Sequence, residues 1–268
     1  MATAGPPDGP LVLLLHGFPE FWYGWRHQMA PLAEAGFCVW APDQRGYNLS
    51  DKPLAVASYA IEPLAADVLG LIDAAGRRRA VVVGHDWGGI VAWQLAGNSP
   101  ECIERVVILN APHPNVMFRQ LFANPRQLLK SRYIAWFQTP WLPERWLGFH
   151  HGWPLARTLR RTSRAGAFSE ADLALYREAW SQPGAMTGMI HWYRAAVRHR
   201  SSPVKARIEP PVLMIWGPQD RFLGQELAQP SIERCARGRL EFIEGATHWL
   251  HHERPERINE LLVRFAAG

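Results

Sequence analysis

Cysteine is scarce in this chain. The three residues present, Cys38, Cys102 and Cys235, are odd in number, widely spaced and never form a C-x-x-C pair. A disulfide framework and a zinc site are therefore not expected, and the thiols fit a reducing, cytoplasmic compartment. Long apolar runs are also missing. The longest have the length of a β-strand, so no membrane span is expected. Met1–Pro10 lacks a basic start followed by an apolar stretch, and no signal peptide is read there. No internal repeat with a period of about 20–50 residues is visible.

What is there suffices for a large core. The chain has 268 residues, 48% of them hydrophobic. Apolar strand-sized runs alternate with helical patterns. Leu11–Leu15, Phe37–Ala41, Ala80–Gly84 and Arg105–Leu109 read as strands, with helices expected near Tyr59–Ala75 and Trp87–Gly97. Nearly continuous apolar strands alternating with helices point to a buried, mostly parallel sheet covered by helices. The rhythm breaks after Asn110-Ala111-Pro112 and returns at Val212–Trp216 and Leu240–Ile243. Between them lie tryptophans, arginines and prolines with helix-length spacing, and one capping-box start at Ser169–Asp172. Residues 1–112 and 205–268 are thus read as two parts of one α/β core. Residues 113–204 are read as an inserted helical lid, or cap.

Charge is unevenly placed. The net charge is +5, yet residues 113–204 alone hold 13 Lys+Arg against 4 Asp+Glu. A basic segment attracts anionic partners. No nucleic-acid motif accompanies it, so a solvated, arginine-rich helical surface is expected and no nucleic-acid partner.

The chemistry begins at Gly84-His85-Asp86-Trp87-Gly88-Gly89, between a strand and an apolar helix. This is the setting of a G-x-S-x-G nucleophile elbow with Asp86 in the serine position. A carboxylate suits displacement at a saturated carbon, giving an ester of the enzyme that water then hydrolyses. Epoxides or alkyl halides are therefore expected as substrates rather than ordinary esters. In this fold the acid and the histidine follow the nucleophile in that order. Asp220 lies just beyond Val212–Trp216, and His248 follows the last strand. His248 is expected to act as general base on water, oriented by Asp220. His251 and His252 are expected to face solvent. The place after the earlier strand, an alternative position for the acid, holds Asn110. His16-Gly17-Phe18-Pro19 follows the first long strand, so the Phe18 and Trp87 N–H groups are candidate oxyanion donors. Phe18-Pro19 is a candidate cis peptide.

Together these stretches, with Asp43–Pro53 and His248–Pro255, resemble the epoxide hydrolases of the α/β-hydrolase fold superfamily, which are related to haloalkane dehalogenases. The resemblance spans nearly the whole chain. It implies two lid tyrosines that hold and protonate the epoxide oxygen, and the matching segments place them at Tyr133 and Tyr193, with Tyr176 as the competitor. It implies no cofactor and no metal. A small apolar epoxide and water are the expected partners, with Phe18, Trp87 and Trp249 against the substrate. Similar dehalogenases hold halide with the aromatic N–H beside the nucleophile plus an Asn in the His-Gly turn, or a second Trp; here Trp87 would serve as the first, but the turn holds Phe18. The alternatives are a haloalkane or haloacid dehalogenase with the same Asp-His-Asp triad, and a ligand-binding member without turnover. Such proteins usually begin with two further strands, so the N-terminal strands are expected to be shortened or missing, leaving about six. The oligomeric state stays open, a homodimer included.

Overall fold

The computed structural model describes residues 1–199, 202–205 and 207–268. Its centre is a sheet of β1 (Ala2–Ala4), β2 (Leu11–Leu15), β3 (Cys38–Ala41), β4 (Ala80–His85), β5 (Ile103–Leu109), β6 (Val212–Trp216) and β7 (Gly238–Phe242). The spatial order is β1-β3-β2-β4-β5-β6-β7. All pairings are parallel except that of β1 with β3. The sheet therefore has seven strands rather than about six, because Ala2–Ala4 adds a short antiparallel edge. Three small residues carry no apolar alternation, so nothing in the sequence marks them as a strand.

β2 and β6 are apolar and buried at every position because both faces of the sheet are covered. Leu11, Leu13, Leu15 and Val82 pack into one core, with α2 (Ile61–Ala74) and α3 (Trp87–Asn98). Val12, Leu14, Val81 and Val83 pack into the other, with α1 (Arg26–Glu34) beneath. Each such side chain, fully buried, contributes roughly 1.5–3 kcal/mol. That total holds the strands in register, since a one-residue slip would exchange the two faces.

Between β5 and β6 the described residues form seven helices. They are α4 (Pro114–Ala123), α5 (Pro125–Lys130), α6 (Arg132–Phe137), α7 (Leu142–Leu147), α8 (Phe149–Thr162), α9 (Glu170–Trp180) and α10 (Ala185–Arg198). The capping box at Ser169 and Asp172 starts α9, each side chain meeting the other's backbone N–H. After β6 come α11 (Ala228–Ile232), α12 (Leu250–Glu253) and α13 (Pro255–Ala267). Ile258, Leu261 and Leu262 of α13 close the second core.

Polar anchors fix the helical insert. Arg194 of α10 makes a two-pronged pair with Glu144 of α7, at 2.5 and 3.1 Å, and also donates to the carbonyls of Phe137 and Thr139. Such a fork fixes direction as well as distance. It locks the helix carrying Tyr193 to the segment carrying Tyr133. Trp180 Nε1 of α9 donates to the carbonyl of Pro19 at 2.6 Å, tying the insert to the core.

Candidate active site

The strand order reverses at β2, which has β3 on one side and β4 on the other. Loops leaving β2 and β4 at such a point diverge and open a crevice at the carboxyl ends of the strands. The His16–Pro19 turn and the Asp86 elbow are those two loops. Asp86 sits at φ 50°, ψ −118°, outside the regions that L-residues favour. The glycines make this possible. A methyl group on Gly17 would stand 2.6 Å from Asp86 Oδ1, so the turn can approach the elbow only without one. Phe18-Pro19 is cis.

The Phe18 N–H donates to Asp86 Oδ1 at 2.9 Å. Trp87 begins α3, and the first N–H groups of a helix have no partner within it. Both candidate oxyanion donors therefore stand at the elbow. His248 Nε2 lies 3.7 Å from Asp86 Oδ2, an ionic approach too long for a hydrogen bond. On its other side His248 Nδ1 meets Asp220 Oδ2 at 2.7 Å.

Asp220 is fully occupied. Its Oδ2 also accepts from Asn110 Nδ2 at 2.6 Å, and its Oδ1 accepts the N–H groups of Phe222 and Leu223 at 2.7 and 2.9 Å. Burial works against its charge, but His248, Asn110 and the backbone donors prevail and hold its pKa below the usual value. Asn110 is thus a partner of the acid, and its Oδ1 also accepts the Gly217 N–H at 2.7 Å. For His248, burial favours the neutral ring. Asp220, Asp86 and Glu20 outweigh it, pushing the pKa up to about 9.

A cavity of about 230 Å³ opens above the elbow. Asp86, His248, Phe18, Tyr133, Tyr193 and Trp249 all line it. Tyr193 stands edge-on to Tyr133, Phe18 and Trp87, at 5.7, 5.3 and 5.0 Å between ring centroids. Burial, with Asp86 nearby, raises the pKa of Tyr133 and Tyr193, so both phenols keep their protons. Tyr176 is elsewhere. Its hydroxyl is buried and donates to Glu20 Oε1 at 2.7 Å. The Trp87 ring stands edge-on to Tyr193 and Trp192 and is not among the residues lining the cavity.

One cluster was not expected from sequence. His251 and His252 are buried, not solvent-facing. Both turn toward Glu20, as does His85. Burial opposes the charge of Glu20, and His252 and His251 hold its pKa well below the usual carboxylate value nonetheless. His85 Nε2 donates to the His248 carbonyl at 2.9 Å, so the cluster supports the histidine from behind. The available signal was Glu20 directly after the cis proline, a carboxylate entering an otherwise aromatic stretch.

Comparison with known proteins agrees with this frame. The family model for the alpha/beta hydrolase fold matches residues 10–255. An AB hydrolase superfamily protein, YfhM, of Bacillus subtilis is 48% identical, over 99% of this chain and 93% of its own. Epoxide hydrolase 4 of Homo sapiens is 37% identical, over 98% of this chain and 74% of its own. Among solved structures, the Bacillus megaterium epoxide hydrolase in complex with an inhibitor superposes with a TM-score of 0.92 at 29% identity, covering 100% of this chain and 96% of that one. The chain belongs to the α/β-hydrolase fold family and, within it, to the epoxide hydrolases.

Proposed function

We propose that this chain opens epoxides to vicinal diols through an ester on Asp86. One observation carries the reading: Asp86 and the two phenols of Tyr133 and Tyr193 line the same cavity. An opening epoxide leaves a basic alkoxide, which needs a proton; a departing halide needs none. Paired, protonated phenols facing the nucleophile favour the epoxide over an alkyl halide.

In the first step an Asp86 oxygen attacks one epoxide carbon. The carbon–oxygen bond breaks, and Tyr133 and Tyr193 support and protonate the leaving oxygen. In the second step His248 Nε2 takes a proton from water, whose oxygen attacks the carbonyl carbon of the ester. The Phe18 and Trp87 N–H groups hold the tetrahedral oxyanion. Collapse expels the second alkoxide, which takes the proton held by His248, and the proton left on the Asp86 carboxyl returns through solvent to the phenolate, so that the diol leaves and carboxylate, imidazole and both phenols are restored. The helices between β5 and β6, residues 113–204, act as the cap over a small apolar substrate. The unpaired cysteines fit a cytoplasmic setting.

A single turnover in heavy-oxygen water tests this. The expected result is one heavy oxygen in the Asp86 peptide and none in the diol. A labelled diol with an unlabelled Asp86 would mean direct attack by water and end the proposal.

The charge on Asp86 also acts as a switch. It is among the causes that raise His248 to about 9, and esterification removes it. The histidine then loses its proton more easily, just when a base is needed. Hydrolysis of the ester is thus expected to rise with pH and level off at an apparent pKa below about 9. Stopped-flow tryptophan fluorescence under single-turnover conditions reads this directly. A plateau reached only at or above that value would count against the switch.

A further inference from the structure

The outer surface of the helical insert mixes arginine with many exposed apolar side chains. Eleven of the fifteen large hydrophobic residues found exposed among the described residues lie between residues 113 and 204. Five of them, Trp141, Leu142, Trp146, Phe149 and Trp153, fall within thirteen consecutive residues and are 47–60% exposed. The backbone leaves the helical conformation at His150–Gly152, so these side chains gather around a bend, and exposed apolar surface on this scale marks a site of interaction.

Cations are interleaved with the aromatics. Arg145, Arg157 and Arg161 are exposed in the same stretch, and the Arg157 guanidinium lies 5.1 Å from the Trp153 ring centroid. Between residues 125 and 161 the sequence has seven Lys+Arg and one acid, Glu144. Glu144 is turned inward onto Arg194. Outward, α7 and α8 therefore present tryptophan, phenylalanine and arginine, and of these arginines Arg160 is paired with the exposed Glu170 of α9. Tryptophan prefers the boundary between lipid and water, and arginine beside it draws in anionic headgroups.

The patch is continuous with the cavity. Leu147 and Leu155 of the same helices are buried and line it, and Trp146 lines it while standing 54% exposed. The cavity therefore reaches the surface under the patch. No helix of the described residues is long and apolar enough to cross a membrane, so contact with lipid would be interfacial.

We infer that the outer face of α7 and α8 docks on an anionic phospholipid surface. The docked enzyme takes its apolar substrate from the bilayer, past Trp146, into the cavity. Electrostatics beyond a solvated arginine surface are thereby given a partner. The inference rests on the epoxide reading, but flotation reads lipid binding alone, so its failure is distinguishable from failure of that reading.

The test is flotation of the full chain with phosphatidylcholine vesicles, with and without about one-third phosphatidylglycerol. Binding is expected to the anionic vesicles, weakening as salt rises. In the combined variant Trp141→Ser, Leu142→Ser, Phe149→Ser, Trp153→Ser, partitioning is expected to fall by at least ~10-fold. Turnover of a water-soluble epoxide is expected to stay unchanged. If that variant fails to fold, Arg145→Gln with Arg161→Gln serves instead and is expected to lose the preference for anionic lipid. Absent binding by the wild type, or undiminished binding by the folded variants, overturns the inference. So does a lipid-free dimer, seen by sedimentation velocity, that the combined variant converts to monomer, because a second copy would then cover the patch.

Discussion

His248→Ala given an epoxide is expected to stop with the substrate bonded to Asp86. Intact mass spectrometry should show an increase equal to the substrate mass, and digestion should place it on the Asp86 peptide. The first step survives because its parts are untouched: Asp86, its Phe18 N–H donor at 2.9 Å and the two phenols all remain. The second step loses its base, a change that costs about 10²–10⁴-fold. No neighbouring imidazole replaces it. His85 is buried and bonded to the His248 carbonyl, and His251 and His252 are turned to Glu20. Ester should therefore form faster than it breaks and accumulate. An unmodified variant across a panel of epoxides that the wild type consumes would remove Asp86 from the role of nucleophile.

Much of this site is legible in the sequence, for a physical reason. The nucleophile, the acid and the histidine each follow a strand of the parallel part of the sheet, and such a sheet brings the carboxyl ends of its strands to one edge. Strand order in space is not needed to gather Asp86, Asp220 and His248 there. The Glu20 cluster is different. Its members come from the His-Gly turn, β4 and α12, and only packing in three dimensions joins them. Histidines next to one another near a helix start read as polar surface, whereas burial around one ionised carboxylate makes them interior. Asn110 shows the same limit. Sequence discounts it as a charge, while the structure shows it donating to the acid at 2.6 Å. Trp87 is read from its adjacency to the nucleophile, and packing alone places its ring edge-on to Tyr193.

Tyr133→Phe combined with Tyr193→Phe is expected nearly to abolish epoxide opening, with kcat/KM lower by about 10²–10⁴-fold. Phenylalanine keeps the rings, so the edge-on contacts among Tyr133, Phe137, Tyr193 and Phe18 persist and the cavity keeps its shape. Only the two hydroxyls go, and with them the proton for the leaving oxygen. Either single variant should retain more activity, because the remaining phenol still faces Asp86. Hydrolysis of an ester already formed should proceed at the wild-type rate, since His248 and Asp220 are unaltered. That split separates proton donation from general damage to the site, which would slow both steps. Full opening activity in the double variant would show that the phenols are only packing, and the choice of epoxide over halide would lose its support.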